Sequence, residues 1–369
     1  MDRFYDERET MFSRARLKKG TRRYVSFYKA HPALKKRDDE VRGMDFMDSI
    51  RKSDAFKERF LPLFKHDEAF MKSLYDFLDA IPMPKTKTDV PSDFHINIKA
   101  IAKHYGAEDV GIVKLKKDHY YTHFGGVNEP LGVDLYGEET PKHYTHAIVF
   151  LRTMRKDYIN RAPHFEELSE AQNVYTNVAI TGSRLATYIK SLGYDTTFMS
   201  EIYYLSPLVP LAYDAGLGEI GMSNHIVHPV HGDRIRLGAV FTTLPLKTDK
   251  PVDFGLRAFC KRCALCLMNC PMQSIKPQER EVNGRIFYQF DEPSCFRMFR
   301  NMGTDCGVCI QSCPYSQGIP EKTQAWMRND KDRIDAYLKE YLKDKRGRRV
   351  SIKTPLDIIQ GGDDDDHGS

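Results

Sequence analysis

No cysteine occurs before Cys260, and all eight fall between that residue and Cys313. Structural disulfides belong to small secreted domains and would be scattered along the chain, so this confinement excludes that role and says local ligand cluster. There is no run of 18 or more apolar residues, so no segment reads as a membrane span. The opening Met1–Glu9 is charged and lacks an apolar core, so no signal peptide is read and a cytoplasmic location is expected. Arg22-Arg23 resembles a twin-arginine export motif, but Ala30–Glu40 after it cannot form a hydrophobic signal core, and a basic helix face is the reading. Neither sign of charge dominates: 56 Lys and Arg stand against 51 Asp and Glu, a net charge of +5. Without a dense basic stripe, nucleic acid is not expected as a partner.

What is present is a chain of 369 residues, 41% hydrophobic, enough to bury a sizeable core in about two domains. Residues 1–80 read as charged amphipathic helices; over 66–80, Phe70, Leu74, Phe77 and Leu78 share helical spacing. From about 95 the pattern turns mixed. A helix is expected over Ile96–His104, and strands over Asp109–Val113, His146–Leu151 and Arg234–Thr243. A long helix is expected over 165–192, with Val174, Val178, Leu185, Ile189 and Leu192 on one face and Gly193 capping its end. A short helix over Pro210–Ala215 should close on Gly216-Leu-Gly218-Glu-Ile-Gly221. Residues 247–255 read as the linker into the cysteine region. Residues 331–345 read as an amphipathic helix, and the Gly361–Ser369 tail as disordered.

Cys260, Cys263, Cys266 and Cys270-Pro271 spell C-x2-C-x2-C-x3-C-P, the bacterial ferredoxin run for 4Fe–4S ligation. The two-residue gaps let three thiolates meet one cuboidal cluster, and the longer gap with its proline sends the fourth to another. Cys295, Cys306, Cys309 and Cys313-Pro314 repeat that ending with a lengthened first gap. Crossing the fourth cysteines assigns Cys260, Cys263, Cys266 and Cys313 to one cluster, and Cys270, Cys295, Cys306 and Cys309 to the other. Zinc sites also favour C-x2-C pairs, but three cysteines in one run ending in C-P argue for iron–sulfur. Two clusters form an electron wire, and the 250 or so residues before them must hold what receives the electrons.

No Walker A sequence appears. Gly216, Gly218 and Gly221 have dinucleotide-fingerprint spacing, yet they follow a helical stretch and not a strand, so a nicotinamide or flavin reading is weak. Asp93-Phe-His95-Ile-Asn-Ile98 has isoleucine where the corrinoid motif D-x-H-x-x-G needs glycine. Motif spacing alone stops at an iron–sulfur redox protein with an unidentified acceptor domain.

The stretch Pro210–Gly221, then Gly232–Leu246 and Asp249–Gly255 running into Phe259-Cys260, resembles the reductive dehalogenases. So do Tyr175-Thr-Asn, Leu185–Tyr194, His146-Ala-Ile-Val and the start Asp6–Phe12 with Lys36–Asp39. The resemblance covers about residues 5–320. It implies an α+β fold in which a nitroreductase-like corrinoid-binding domain precedes a C-terminal ferredoxin-like domain with two 4Fe–4S clusters. The expected division is a helical region at 1–90, the corrinoid-binding catalytic domain at 91–250, the ferredoxin-like domain at 251–330, and a C-terminal helix and acidic tail at 331–369. The resemblance implies a base-off corrinoid without a histidine ligand, an organohalide substrate, and an external donor, a ferredoxin or flavodoxin. It lets Gly216, Gly218 and Gly221 bring backbone close to the corrinoid.

Tyr175 matches the family's catalytic tyrosine, a proton donor to the carbon that loses halide. Arg236, with Arg234 as the second candidate, matches its arginine ahead of Leu-Gly-Ala-Val; a cation there is expected to lower the phenol's pKa. Where some members carry Asn-Asp, this chain reads Glu201-Ile-Tyr-Tyr-Leu-Ser206, a departure that bears on substrate class. His225, His228 and His231 are expected to be solvated loop residues. The second reading is an epoxyqueuosine reductase, which shares the cofactor plan but acts on tRNA and calls for an aspartate acid and a basic face. The third is a non-catalytic electron-transfer subunit.

Overall fold

The computed structural model describes residues 5–42, 55–126 and 131–345; the acidic tail lies outside them. Three short helices come first, α1 (Met11–Arg16), α2 (Arg22–Ala30) and α3 (Pro32–Val41). Their small core is Leu17, Tyr24, Phe27 and Tyr28. Buried Arg14 is held by Asp38 at 2.9 Å, and the Tyr28 hydroxyl donates to the same carboxylate at 2.9 Å. Arg22 and Arg23 lie on α2, where Arg23 pairs with Asp134, in keeping with the helix-face reading.

Next come α4 (Ala55–Ala80), α5 (Phe94–His104), β1 (Asp109–Lys114), β2 (His146–Thr153), α6 (Phe165–Ser191) and β3 (Thr196–Met199). The buried stripe of α4 is Met71, Tyr75 and Leu78 with Leu74 beside it. Phe70 and Phe77 are exposed, so the face differs from the one read in sequence by about one position. On α6 the expected face holds: Val174, Val178, Leu185 and Ile189 are buried, and Gly193 follows the helix at φ +86°. After α7 (Leu208–Asp214) come the two-residue strands β4 (Glu219–Ile220) and β5 (Ile226–Val227), then β6 (Ile235–Thr242).

The main sheet has the order β1-β2-β6-β3, antiparallel throughout. Ala147–Leu151 of β2 are fully buried, because α6 covers one face and α7 the other. Gly238 on β6 is what lets α6 approach: a Cβ there would lie 2.4 Å from the Phe150 ring and 2.7 Å from Val178. Helix α4 contributes to this same core, so the N-terminal helical region is not packed as a separate unit.

The cysteine region follows with α8 (Leu256–Cys263), the hairpin β7 (Ile275–Val282) and β8 (Arg285–Phe290), α9 (Glu292–Met302) and α10 (Lys331–Lys345). The hairpin and α9 went unread in the sequence. Ile334 and Leu338 of α10 pack with Leu256 and Phe259 of α8. The N-terminal helices brace α9, with Phe12 edge-on to Phe296 and Arg14 bonded to Glu292 at 3.3 Å. No helix among the described residues is long and apolar enough to cross a membrane.

Candidate redox and proton-transfer site

Both cysteine runs end in the same local geometry. Cys270 (φ −64°, ψ 113°) and Cys313 (φ −75°, ψ 121°) each leave a one-turn helix in an extended conformation. Each precedes a proline, whose ring disfavours helical backbone at the residue before it. The fourth thiol of each run therefore points away from its own helical turn. Cys260, Cys263, Cys266 and Cys313 line one cavity together. The thiols of Cys270, Cys295 and Cys306 act on one another electrostatically, and Cys309 feels Cys266, Cys295 and Cys306. This grouping supports the crossed assignment. Met222, Ile275 and Tyr288 form an apolar floor that touches cysteines of both sets.

Burial pushes the Cys263 thiol up to about 11 and the Cys266 and Cys295 thiols up to about 12. Thiols so placed stay protonated unless a metal centre compensates the thiolate charge, so the donor set fits two iron–sulfur clusters. Among the described residues, no three His, Cys, Asp or Glu side chains form a site for a metal ion. Asp233, which sequence reasoning missed, is buried beside Ser316, and its charge acts on Cys266, Cys309 and Cys313.

The expected pair Tyr175 and Arg236 does come together. Tyr175 sits on α6 and Arg236 on β6, and the guanidinium lies 4.9 Å from the centre of the phenol ring. Arg236 bonds Asp305 at 3.1 Å, and Asp305 immediately precedes Cys306. Two further carboxyls join them. Glu167, in the first turn of α6, is fully buried with neither oxygen hydrogen-bonded. Its carboxylate occupies the space that a Cβ on Gly307 would need, at 2.6 Å. Glu201 follows β3 and is half-buried; Gln172, one turn before Tyr175, hydrogen-bonds it. Its turn is fixed from α4: Tyr75 stacks on Phe198 at 4.0 Å, and its hydroxyl meets Ser200 Oγ at 2.9 Å.

One expectation is overturned. Arg236 pulls the Tyr175 pKa down, but burial outweighs it and Glu201, Asp305 and Glu167 oppose it, so the phenol is pushed up to about 12. The single cation is shared among too many anions to acidify the phenol. Burial likewise raises Glu201 to about 7 and Glu167 to about 8, with Asp305 adding to both. The carboxyls come from three distant segments, and no spacing rule links them; Glu201 was visible only as a departure from a pattern.

Gly216, Gly218 and Gly221 turn out to make room for the chain itself. A Cβ on Gly216 (φ +79°) would lie 2.5 Å from the Lys250 carbonyl, and one on Gly218 (φ +158°) 2.3 Å from that of Val227. Gly221 lines the Cys260–Cys313 cavity. Of the three histidines, His228 departs from the expectation of a solvated loop residue, while His225 and His231 stay partly exposed. His228 is buried and lies 3.3 Å from Asp109, with His231 stacked on it at 4.9 Å. His225 reaches Asp233 at 3.4 Å.

A model of the 4Fe-4S dicluster domain matches residues 259–317. The tetrachloroethene reductive dehalogenase of Sulfurospirillum multivorans is 25% identical over 302 residues, covering 73% of this chain and 59% of that protein. The enzyme of the same name from Dehalobacter restrictus is 29% identical over 191 residues, covering 48% of this chain and 33% of that one. A solved reductive dehalogenase, described in connection with B12-dependent dehalogenation, superposes with a TM-score of 0.68 at 23% identity. That match covers 81% of this chain and 44% of the solved one. The chain thus spans a third to three-fifths of the length of these proteins, and it shares the fold of the solved one over most of its own length.

Proposed function

We propose that this chain, which groups with the reductive dehalogenases in sequence and fold, removes halide from an organohalide using electrons delivered through its two clusters. One observation carries the reading. The Tyr175–Arg236 pair is tied through Asp305 to the neighbouring Cys306, so an electron route and a proton donor end at the same place. The ligands would be Cys260, Cys263, Cys266 and Cys313 for one cluster, and Cys270, Cys295, Cys306 and Cys309 for the other. A corrinoid bound beside Tyr175 would supply the low-potential metal centre that reduces the carbon–halogen bond. Tyr175, Arg236 and Glu201 would border such a group. The buried Arg236 Nε and both Glu167 oxygens lack hydrogen-bond partners, so polar groups there are left for a bound group to meet.

The chain's own part is to hold and move a proton. At neutral pH Tyr175 keeps its hydroxyl proton and presents it to the carbon that loses halide. Arg236, fixed by Asp305, stabilises the tyrosinate that remains. The electron donor is a separate low-potential carrier, a ferredoxin or flavodoxin.

The test is chloride release from tetrachloroethene or pentachlorophenol by anaerobically reconstituted protein, with a low-potential dye as donor. Metal analysis should give roughly eight iron atoms per chain and cobalt in step with the bound corrinoid. Full activity without cobalt would remove the corrinoid from the reading. The epoxyqueuosine reductase reading gains one observation, a carboxylic acid near the tyrosine at Glu201; turnover of epoxyqueuosine tRNA in place of either organohalide would establish it.

A further inference from the structure

The pocket holds more acid than the proposed function uses. Glu167, Glu201 and Asp305 all act on the charge of Arg236, as does Tyr175. Three ionised carboxyls on one guanidinium would leave excess negative charge where little water is present to solvate it. Such a cluster keeps at least one proton.

Geometry distinguishes the three. Asp305 is spoken for by its 3.1 Å ion pair with Arg236. Glu167 is sealed: it is fully buried, unpartnered, and closed over by Gly307. Glu201 is half-buried, with Gln172 as its hydrogen-bond partner; unlike sealed Glu167 it keeps access to water, and unlike Asp305 it is not the carboxyl paired with Arg236. Tyr204 stands near both ends of the path, since Tyr175 and Glu201 are the charges that act on it most.

We propose that Glu201 supplies the proton that restores Tyr175 after each turnover. The proposal rests on the dehalogenase reading. There the organohalide takes up two electrons and one proton and gives the hydrogenated carbon and halide. The electrons come one at a time from the low-potential donor. The Tyr175 O–H bond breaks as the C–H bond forms, leaving tyrosinate. The Glu201 O–H bond then breaks as the phenol O–H bond re-forms, and the Glu201 carboxylate regains a proton from water. Neither side chain is oxidised or reduced. Glu201 acts through Tyr175 and is a positioning residue, not one that touches substrate. A tyrosinate whose conjugate phenol sits near 12 draws a proton strongly from a carboxyl near 7. The charged and titratable groups around Glu201 are Tyr175 and Glu167 of α6, Arg236 of β6, Asp305 before Cys306, Glu68 of α4, and Tyr204 on its own turn.

The test uses the reconstituted holoenzyme, the low-potential dye and the same two organohalide probes. The wild-type rate should fall as pH rises through about 7. Glu201→Gln should be at least about tenfold slower on the acid side, and its profile should lack that limb. Glu201→Asp, which keeps a carboxyl, should restore the limb, and Glu167→Gln should leave it in place. A readout independent of turnover is infrared difference spectroscopy of the holoenzyme across the same pH range. A protonated-carboxyl band should disappear as pH rises and be missing from Glu201→Gln. A Gln variant with the wild-type rate and limb, or a band that vanishes in Glu167→Gln instead, overturns the proposal. If the wild type dehalogenates neither probe while the band still titrates on Glu201, the dehalogenase reading has failed and the proton-holding site stands.

Discussion

Replacing Tyr175 by Phe removes one hydroxyl and keeps the ring beneath Arg236, so packing and cofactor content should survive. The loss should be in turnover, about 10²–10⁴-fold, as for removal of a general acid. Arg236→Leu should lose a comparable amount, and the double variant far less than the product, because the two act as one unit. The measurement is dehalogenation rate beside iron and cobalt content; a Tyr175→Phe protein with full cofactors and a near-normal rate would move suspicion to Tyr204. A second prediction concerns Glu7, which is buried and accepts from the Gly125 amide at 2.5 Å. Burial raises its pKa to about 7. The folded state therefore binds a proton more readily than the unfolded one, and stability should fall as pH rises from about 4.5 through 7. Glu7→Gln should flatten that slope and be the more stable form at pH 8, by on the order of 3 kcal/mol, read from urea unfolding at several pH values. At this scale the sequence was legible where a residue type is scarce and its spacing is fixed by chemistry, as with the cysteines. It was illegible where charge is shared across segments: nothing near Tyr175 in the chain announces that Glu201, Asp305 and Glu167 would offset Arg236.

Among the elements, the hairpin β7–β8 is fastened to the sheet domain by buried Phe287, by Asn224 on the Tyr288 backbone and by the charge network of Arg285. Arg285 on β8 bonds Asp214 at 2.6 Å and Asp118 at 2.9 Å, and His119 joins the same network at 2.8 Å from Asp214. Arg285 is buried; against burial, which raises it, the hydrogen bonds of His119 and then Arg285 hold the Asp214 carboxyl well below the usual range. Arg285→Met would leave Asp214 with far less compensation, and breaking such a buried network costs about 3–5 kcal/mol. Denaturant unfolding should register that loss, and the variant should hold iron less well because β7 and β8 supply Ile275 and Tyr288 beneath both cysteine sets. The pattern gave β1, β2, β6, α6 and α10 close to their observed bounds, since the helices bury one regular face and the strands are continuous buried apolar runs. It missed the hairpin because the outer part of β7 is largely exposed and charged. It misplaced the face of α4 because Phe70 and Phe77 look like core and are not.

Over the whole molecule, the crossed cysteine assignment makes the two clusters interdependent. Cys313→Ser should damage the cluster built on Cys260, Cys263 and Cys266 more than the one built on Cys306 and Cys309. Iron analysis with EPR of the reduced protein separates the two, and the opposite pattern of loss would reverse the assignment. A different consequence lies in the order of the sheet. Strand β6 enters between β2 and β3, pairing Ile148 with Val240 on one side and Phe198 with the same residue on the other, yet it is the last of the four to be synthesised. Until residues 235–242 clear the ribosome, β2 and β3 each present an open edge, the kind of surface that captures other chains. Their pairing is non-local and correspondingly slow. A nascent chain arrested before Ile235 should remain protease-sensitive throughout 146–199, and protection of β2 and β3 should appear together in one step once Thr242 has emerged.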